Sequence, residues 1–313
     1  MSGPVRTVVI DTDPGQDDAV ALLTAFALPE RLDIRAVTTV AGNVGVAQGT
    51  VNALRLRDLA RRSDVPVVAG MAGPMVVPLE TAEFVCGPDG LAGCGLGPPV
   101  SPAGEGHAVE ALIRMVRAAE PGTVTLCALG PLSNIAMALR LAPDIAIRIA
   151  EIVVMGGAMG LGNMTPAAEF NFYVDPHAAA AAVVLGAGVR TTLLGLHATH
   201  QAVADAAHVE RLRGLGSRTG AAIYGMLTRP RPGGLGTTGH PMHDPCVIGW
   251  LLWPELFGGR DCFVDVETEG RVQGRSTIDW NGRLKRAPNA FVVGTVEAGP
   301  FFDRLIDAVA RLP

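Results

Sequence analysis

Four aspartates fall within eight residues near the start of the chain: Asp11, Asp13, Asp17 and Asp18, in the run VVIDTDPGQDDAVALL. Carboxylates this crowded repel one another unless a positive charge sits among them. A hard divalent cation is the natural partner, because Ca²⁺ and Mg²⁺ take oxygen ligands. Each aspartate alone has a plainer explanation, as a helix-dipole partner in a first turn or as a turn former. Four together add repulsion that capping does not require. The spacing is not that of an EF-hand, which needs a central glycine and a distal glutamate in a 12-residue loop.

Two later groups offer complementary chemistry. Asn163, Glu169 and Asn171 place two carboxamides and a carboxylate in the segment GNMTPAAEFNFYVDP, donors and acceptors suited to sugar hydroxyls. His243-Asp244-Pro245 sets a carboxylate beside an imidazole at a helix start. Asp244 could be an N-cap; with His243 before it, a metal ligand next to a proton donor is the chemical alternative.

These residues need a scaffold that brings them together. Strand patterns fall at Val5–Ile10, Ile34–Val40, Pro66–Ala69, Thr123–Leu129, Ile152–Met155 and Val189–Leu194. Helical patterns lie between them at Asp17–Leu28, Val46–Arg61, Gly106–Ala119, Leu132–Leu141 and Pro176–Leu185. This alternation predicts βαβ units and an open, mainly parallel sheet flanked by helices. Helices are expected over Ala206–Leu212, Thr219–Leu227 and from Asp244, extra C-terminal strands over Cys262–Glu267, Arg275–Asp279 and Ala290–Thr295, and a last helix from Phe301. With no linker and no fixed repeat, residues 1–313 read as one domain. In such sheets ligands bind at the carboxyl ends of the strands. Asp13, Asn43, the Gly130–Asn134 segment and Met155-Gly156-Gly157 each follow a predicted strand, so they converge there. Two Gly- and Pro-rich loops, Gly70–Glu105 and Arg229–Met242, are long enough to be lids or binding loops.

Composition narrows the partners. The 313 residues carry a formal charge of −5 with no basic stripe, which argues against nucleic acid. No signal-peptide pattern and no apolar run of membrane-spanning length are present. Cys86, Cys94, Cys127, Cys246 and Cys262 are scattered without a CxxC pair, as expected of reduced thiols in a cytoplasmic setting.

Taken in order, DTDPGQDDAVAL, TTVAGN, ALGPLSNIA, VVMGG, AEFNFYVDP and HDPC resemble the signatures of the inosine-uridine-type nucleoside hydrolases, over about Val8 to Trp250. The resemblance implies a Rossmann-like nucleoside hydrolase fold and Ca²⁺-dependent hydrolysis of the N-glycosidic bond of ribonucleosides. It implies Asp13, Asp18, Asp244 and the main-chain carbonyl of Leu129 as metal ligands, with Asp13 also the base for the attacking water. It places Asp17, Asn43, Glu169 and Asn171 on the ribose hydroxyls, Asn163 and Met155 against the sugar, and His243 as proton donor to the departing base. A homotetramer or homodimer is implied as well.

The chain departs from the family pattern at several points. Cys86 stands in FVCGPDG where a histidine is common, and His197 stands in LHATHQ where many members carry aspartate. Tyr224 is the one aromatic in the helical region before His243, and Arg229 and Arg231 are candidates to reach the base or a phosphate. Two other readings fit parts of the sequence: a calcium-dependent nucleoside- or ribose-binding protein without turnover, and a DxD-type Mg²⁺ phosphatase using Asp11 as nucleophile. The phosphatase reading expects a downstream lysine, and the chain's single lysine is the isolated Lys285.

Overall fold

The structure is a computed structural model that describes residues 5–179, 188–229 and 239–313. Eight strands form its main sheet: β1 (Arg6–Thr12), β2 (Leu32–Thr39), β3 (Val67–Ala69), β4 (Val124–Ala128), β5 (Ile149–Met155), β6 (Thr191–Leu194), β7 (Phe257–Cys262) and β8 (Ala290–Val296). Their spatial order is β3-β2-β1-β4-β5-β6-β8-β7. Every pair is parallel except β8 with β7, which is antiparallel and closes one edge.

The central strands β4, β5 and β6 are buried almost throughout, as a sheet covered on both sides requires. Val8 and Ile10 belong to one core cluster and Val9 to the other, following the two-residue period of a strand. Helices α1 (Gln16–Phe26) and α2 (Val46–Leu59) follow β1 and β2; α3 (Ala108–Ala118) and α4 (Ser133–Leu141) flank β4. Helices α5 (Ala206–Gly214), α6 (Arg218–Thr228), α7 (His243–Leu252) and α8 (Ala298–Val309) complete the outer layers. From β1 the chain proceeds outward to β2 and β3, then returns to β4 on the other side of β1. The reversal opens a crevice beyond the carboxyl ends of β1 and β4, where Asp13 and Leu129 emerge.

The C-terminal strands differ from expectation. Cys262 ends β7 rather than starting a strand, and Val264–Val266 pairs with Ser276–Ile278 in a separate hairpin. The sequence of β7, FGGRDC, has two glycines and exposed central residues, so neither alternation nor propensity marks it; pairing with β8 makes it a strand. The last helix starts at Ala298, three residues before Phe301. Short helical turns at Glu83–Cys86 and Phe170–Val174 interrupt segments expected to be loop. Of the helix expected over Pro176–Leu185, residues 180–185 lie outside the described residues, as do 230–238 of the loop before His243. Among the described residues no helix is long and apolar enough to cross a membrane.

Candidate active site

The aspartate motif occupies the turn from β1 into α1. Asp11 is the penultimate residue of β1, and its side chain turns into the protein, where it accepts from Thr38 Oγ1 on β2 and from Asn134 Nδ2 at 2.8 Å. Burial pushes its carboxyl up to about 7, against the lowering effect of those two donors. It does not line the cavity described below, and its bonds to Thr38 and Asn134 tie it to the neighbouring elements instead.

Asp13 and Asp18 are also buried. Asn43, in the loop after β2, holds both: its backbone N–H donates to Asp13 Oδ2 at 2.7 Å, and its side-chain amide donates to Asp18 Oδ2 at 3.1 Å. Asp18 also accepts from Thr12 Oγ1 and from the backbone N–H of Gly15 at 3.0 Å, so it caps the helix as well as facing the site. Two glycines pack on Asp13. A Cβ on Gly42 would overlap Asp13 Oδ2 and sit 2.8 Å from Pro131 Cδ, and a Cβ on Gly130 would meet Asp13 Oδ1.

Helix α7 delivers Asp244 from the far side of the chain. The residue flanking the helix start is Met242, so Asp244 lies inside the first turn and is not its N-cap. Carboxylate oxygens of Asp17, Asp18 and Asp244 lie within 4.8 Å of one another. Burial raises the carboxyl of Asp244 well above the usual range, with Asp17, Asp18 and Asp13 adding repulsion. It does the same to Asp13, where Asp18 is the next cause, and it raises Asp18 with Asp17 the next cause. The charged neighbours that act most on these three carboxyls are all carboxylates. Asp13 Oδ1 is buried and has no hydrogen-bond partner there. An all-oxygen, multiply anionic cluster with an unsatisfied carboxylate oxygen fits a hard divalent cation.

The opposite wall comes from β4, β5 and the Phe170–Val174 turn. The Leu129 carbonyl, one residue past β4, accepts from Asn171 Nδ2 at 2.7 Å, which fixes its direction while a second lone pair remains. Glu169 is buried, and its carboxylate accepts from the backbone N–H groups of Gly157 (2.9 Å), Asn171 (2.8 Å) and Phe172 (3.1 Å). Burial still pushes it up to about 7, outweighing those bonds. Asn163 Oδ1 accepts from Phe170 N–H at 2.9 Å.

A cavity of about 570 Å³ opens onto these groups. Nine of the eleven residues to which the resemblance gives a site role line it: Asp17, Asn43, Leu129, Met155, Asn163, Glu169, Asn171, His243 and Asp244. The other two, Asp13 and Asp18, lie beneath, hydrogen-bonded to Asn43. His243 Nδ1 shares a hydrogen bond of 2.8 Å with the buried Thr199 hydroxyl, and its ring centroid is 5.4 Å from that of His200.

The departures from the family pattern resolve individually. His197 is outside the cavity and bridges two elements: Nδ1 accepts from Met159 N–H at 3.2 Å and Nε2 lies 2.9 Å from the Val293 carbonyl. This pattern requires the neutral ring protonated on Nε2, in keeping with a pKa lowered by burial. Cys86 does line the cavity; its thiol is directed at the Ala82 carbonyl at 3.1 Å, and burial pushes it up to about 12. Tyr224 is not in the cavity and packs under Arg213 at 5.7 Å. Arg229 lines the cavity; Arg231 lies outside the described residues. Phe84, Phe170, His200 and His240 also line the cavity and are not among the residues expected there from the sequence. Phe84 and Phe170 stood in the FVCG and AEFNF motifs, where an apolar residue beside polar ones was the available signal.

Comparison with known proteins agrees with this geometry. Residues 8–303 match the family described as inosine-uridine preferring nucleoside hydrolase. The chain is 43% identical over 311 residues to an uncharacterized protein of Schizosaccharomyces pombe, covering 98% of this chain and 99% of that one. It is 40% identical over 306 residues to the pyrimidine-specific ribonucleoside hydrolase RihA of Salmonella paratyphi A, covering 96% and 97%. Among solved structures it resembles a plant nucleoside hydrolase with a TM-score of 0.89, at 32% identity over 98% of this chain and 99% of that one. The chain belongs to the inosine-uridine preferring nucleoside hydrolase family.

Proposed function

We propose that this protein hydrolyses the N-glycosidic bond of ribonucleosides in a calcium-dependent reaction, releasing ribose and free base. The observation that carries the reading is the convergence of five segments on one cavity: the Asp13–Asp18 turn, Asn43, Leu129, Glu169–Asn171 and His243–Asp244. Asp13, Asp18, Asp244 and the Leu129 carbonyl are the residues that would hold calcium. When bound, the ion would offset the clustered negative charge and lower the pKa of a water in the site.

Asp13 is the base that takes a proton from the attacking water. Its position is fixed by the Asn43 N–H and by the glycines on either side. Asp17, Asn43, Glu169 and Asn171 hold the ribose hydroxyls, with Asn163 and Met155 against the sugar. Cleavage passes through an oxocarbenium-like state, and carboxylates around the sugar stabilise the positive charge that develops on it. His243 protonates the departing base. With the Thr199 hydroxyl donating to Nδ1, the transferable proton would be carried on Nε2, and general acid catalysis of this kind contributes about 10²–10⁴-fold.

The apolar and histidine-rich part of the cavity (Phe84, Phe170, His200 and His240) accommodates the base. Incubating the purified protein with a panel of purine and pyrimidine ribonucleosides, with and without chelator, tests the proposal. Free base and reducing sugar should appear together, only when calcium is present. A calcium-loaded sample that cleaves no member of the panel, yet binds nucleosides, would establish the non-catalytic binding protein instead.

A further inference from the structure

The cavity wall at 82–91 is fastened to the carboxylate loops at both ends. At one end Ala82 N–H donates to the Asn43 carbonyl at 3.1 Å. At the other end stands Asn52, a fully buried residue of α2 with no direct place in the cavity. Its Nδ2 donates to the carbonyl of Pro14 at 3.1 Å and to the carbonyl of Asp89 at 2.7 Å; its Oδ1 accepts from Gln48 at 2.9 Å. Pro14 lies inside the Asp13–Asp18 turn and Asp89 inside the wall, so one amide group joins the two.

The wall is shaped to meet that amide. Gly90 has φ +75, and a Cβ there would be 2.9 Å from Asn52 Nδ2, 3.0 Å from the Pro14 carbonyl and 3.1 Å from Val44 Cγ1. A side chain at this position would therefore be strained in its backbone and would wedge the wall away from the turn. The Asp89 carboxylate accepts from Leu91 and Gly93 N–H groups, which holds the carbonyl of the same residue toward Asn52. Phe84, Val85 and Cys86, which face the cavity, hang between the two fastenings.

We propose that Asn52 is a positioning residue that couples the wall at 82–91 to the carboxylate turn, so that order in the wall and cation affinity of the turn depend on each other. The inference rests on the calcium reading above for the identity of the cation. Coupling of this kind is reciprocal: what tightens the turn orders the wall, and what frees the wall loosens the turn. Asn52→Leu keeps the approximate volume and removes both donors. Gly90→Ala attacks the same contact from the wall and leaves the sequence of α2 unchanged. Gln48→Ala leaves both donors of Asn52 in place.

The test measures amide hydrogen exchange of the full chain and calcium affinity by titration calorimetry, for wild type and the three variants. Loss of these bonds should raise exchange about tenfold in 82–91 and weaken calcium binding about tenfold in Asn52→Leu and in Gly90→Ala. Gln48→Ala should change neither. The double variant should be less impaired than the product of the two single effects. Exchange raised throughout the chain, with calcium affinity kept, would make Asn52 a general packing residue and overturn the proposal. Unchanged exchange in 82–91 would overturn it as well. Should Asn52→Leu fail to fold, Gly90→Ala decides between the same outcomes. A wild-type protein that binds no calcium removes the calcium reading and, with it, the claimed dependence of cation affinity on Asn52; wild-type binding with unaltered variants removes the coupling alone.

Discussion

Asn43 touches both Asp13 and Asp18, donating its backbone N–H to the first and its side-chain amide to the second. Asn43, in the loop after β2, thereby spaces two buried carboxylates, one just past β1 and one in the first turn of α1. The arrangement assigns different tasks to neighbouring acids. Asp13 keeps one oxygen without a protein partner, whereas Asp18 is committed to Thr12, Gly15 and Asn43.

Asp13→Asn removes the proposed base and one anionic oxygen while preserving shape. Turnover of a good nucleoside substrate should fall by at least about 10³-fold, and calcium affinity should weaken. Steady-state kinetics with calorimetric titration separates the two effects. A wild-type rate in this variant would exclude Asp13 as base.

Gly42→Ala adds one methyl group directly against the Asp13 carboxylate and the Pro131 ring. Asp13 has little room to retreat, because it is bound to Asn43 and packed against Gly130. Overpacking of this kind costs about 1–3 kcal/mol of stability, and kcat/KM should drop about 100-fold or more as the carboxylate is displaced. Thermal unfolding and kinetics measured on the same preparation test this, and unaltered activity would contradict the tight packing.

His243→Ala should slow release of poor leaving groups such as natural bases by about 10²–10⁴-fold, while leaving activated aryl ribosides nearly unaffected. Thr199→Val should reproduce the pattern in weaker form, since it removes the partner of Nδ1 and leaves the imidazole itself. Equal losses on both substrate types would exclude a proton-donor role for His243.

The pH dependence of stability should differ with and without the cation. Asp13, Asp18 and Asp244 have raised carboxyl pKa values in the folded chain, and Asp11 and Glu169 are raised to about 7. The metal-free fold therefore retains protons that an unfolded chain, with carboxyl pKa near 4, has released. Its stability is highest below about pH 4 as far as these groups decide it, and it declines as pH rises toward 7 and beyond. In chelator the melting temperature should fall between pH 5 and pH 8. The rise produced by saturating calcium should be larger at pH 8 than at pH 5, because the ion then binds carboxylates without displacing protons. A calcium-induced shift independent of pH would contradict this assignment.

Local patterns carried much of this protein. The apolar run Val8–Ile10, the Pro14-Gly15 turn and the helical periodicity after it determined that a carboxylate cluster stands at a strand-to-helix turn, and the βα alternation determined a mainly parallel sheet. The placement of Asn43, Leu129 and Met155 after their strands followed from the same alternation, because parallel strands share one carboxyl edge. Strand order and packing decided the rest. The reversal between β1 and β4 set Asp13 beside Leu129, and α7 brought Asp244 to within 4.8 Å of Asp17 and Asp18. The bond between Thr199 and His243, the satisfied bridge made by His197, the strand FGGRDC and the two donations made by Asn52 leave no periodic mark. Each depends on contact between segments far apart in the chain, and a repeat of two or 3.6 residues encodes which face is buried but not which neighbour it meets.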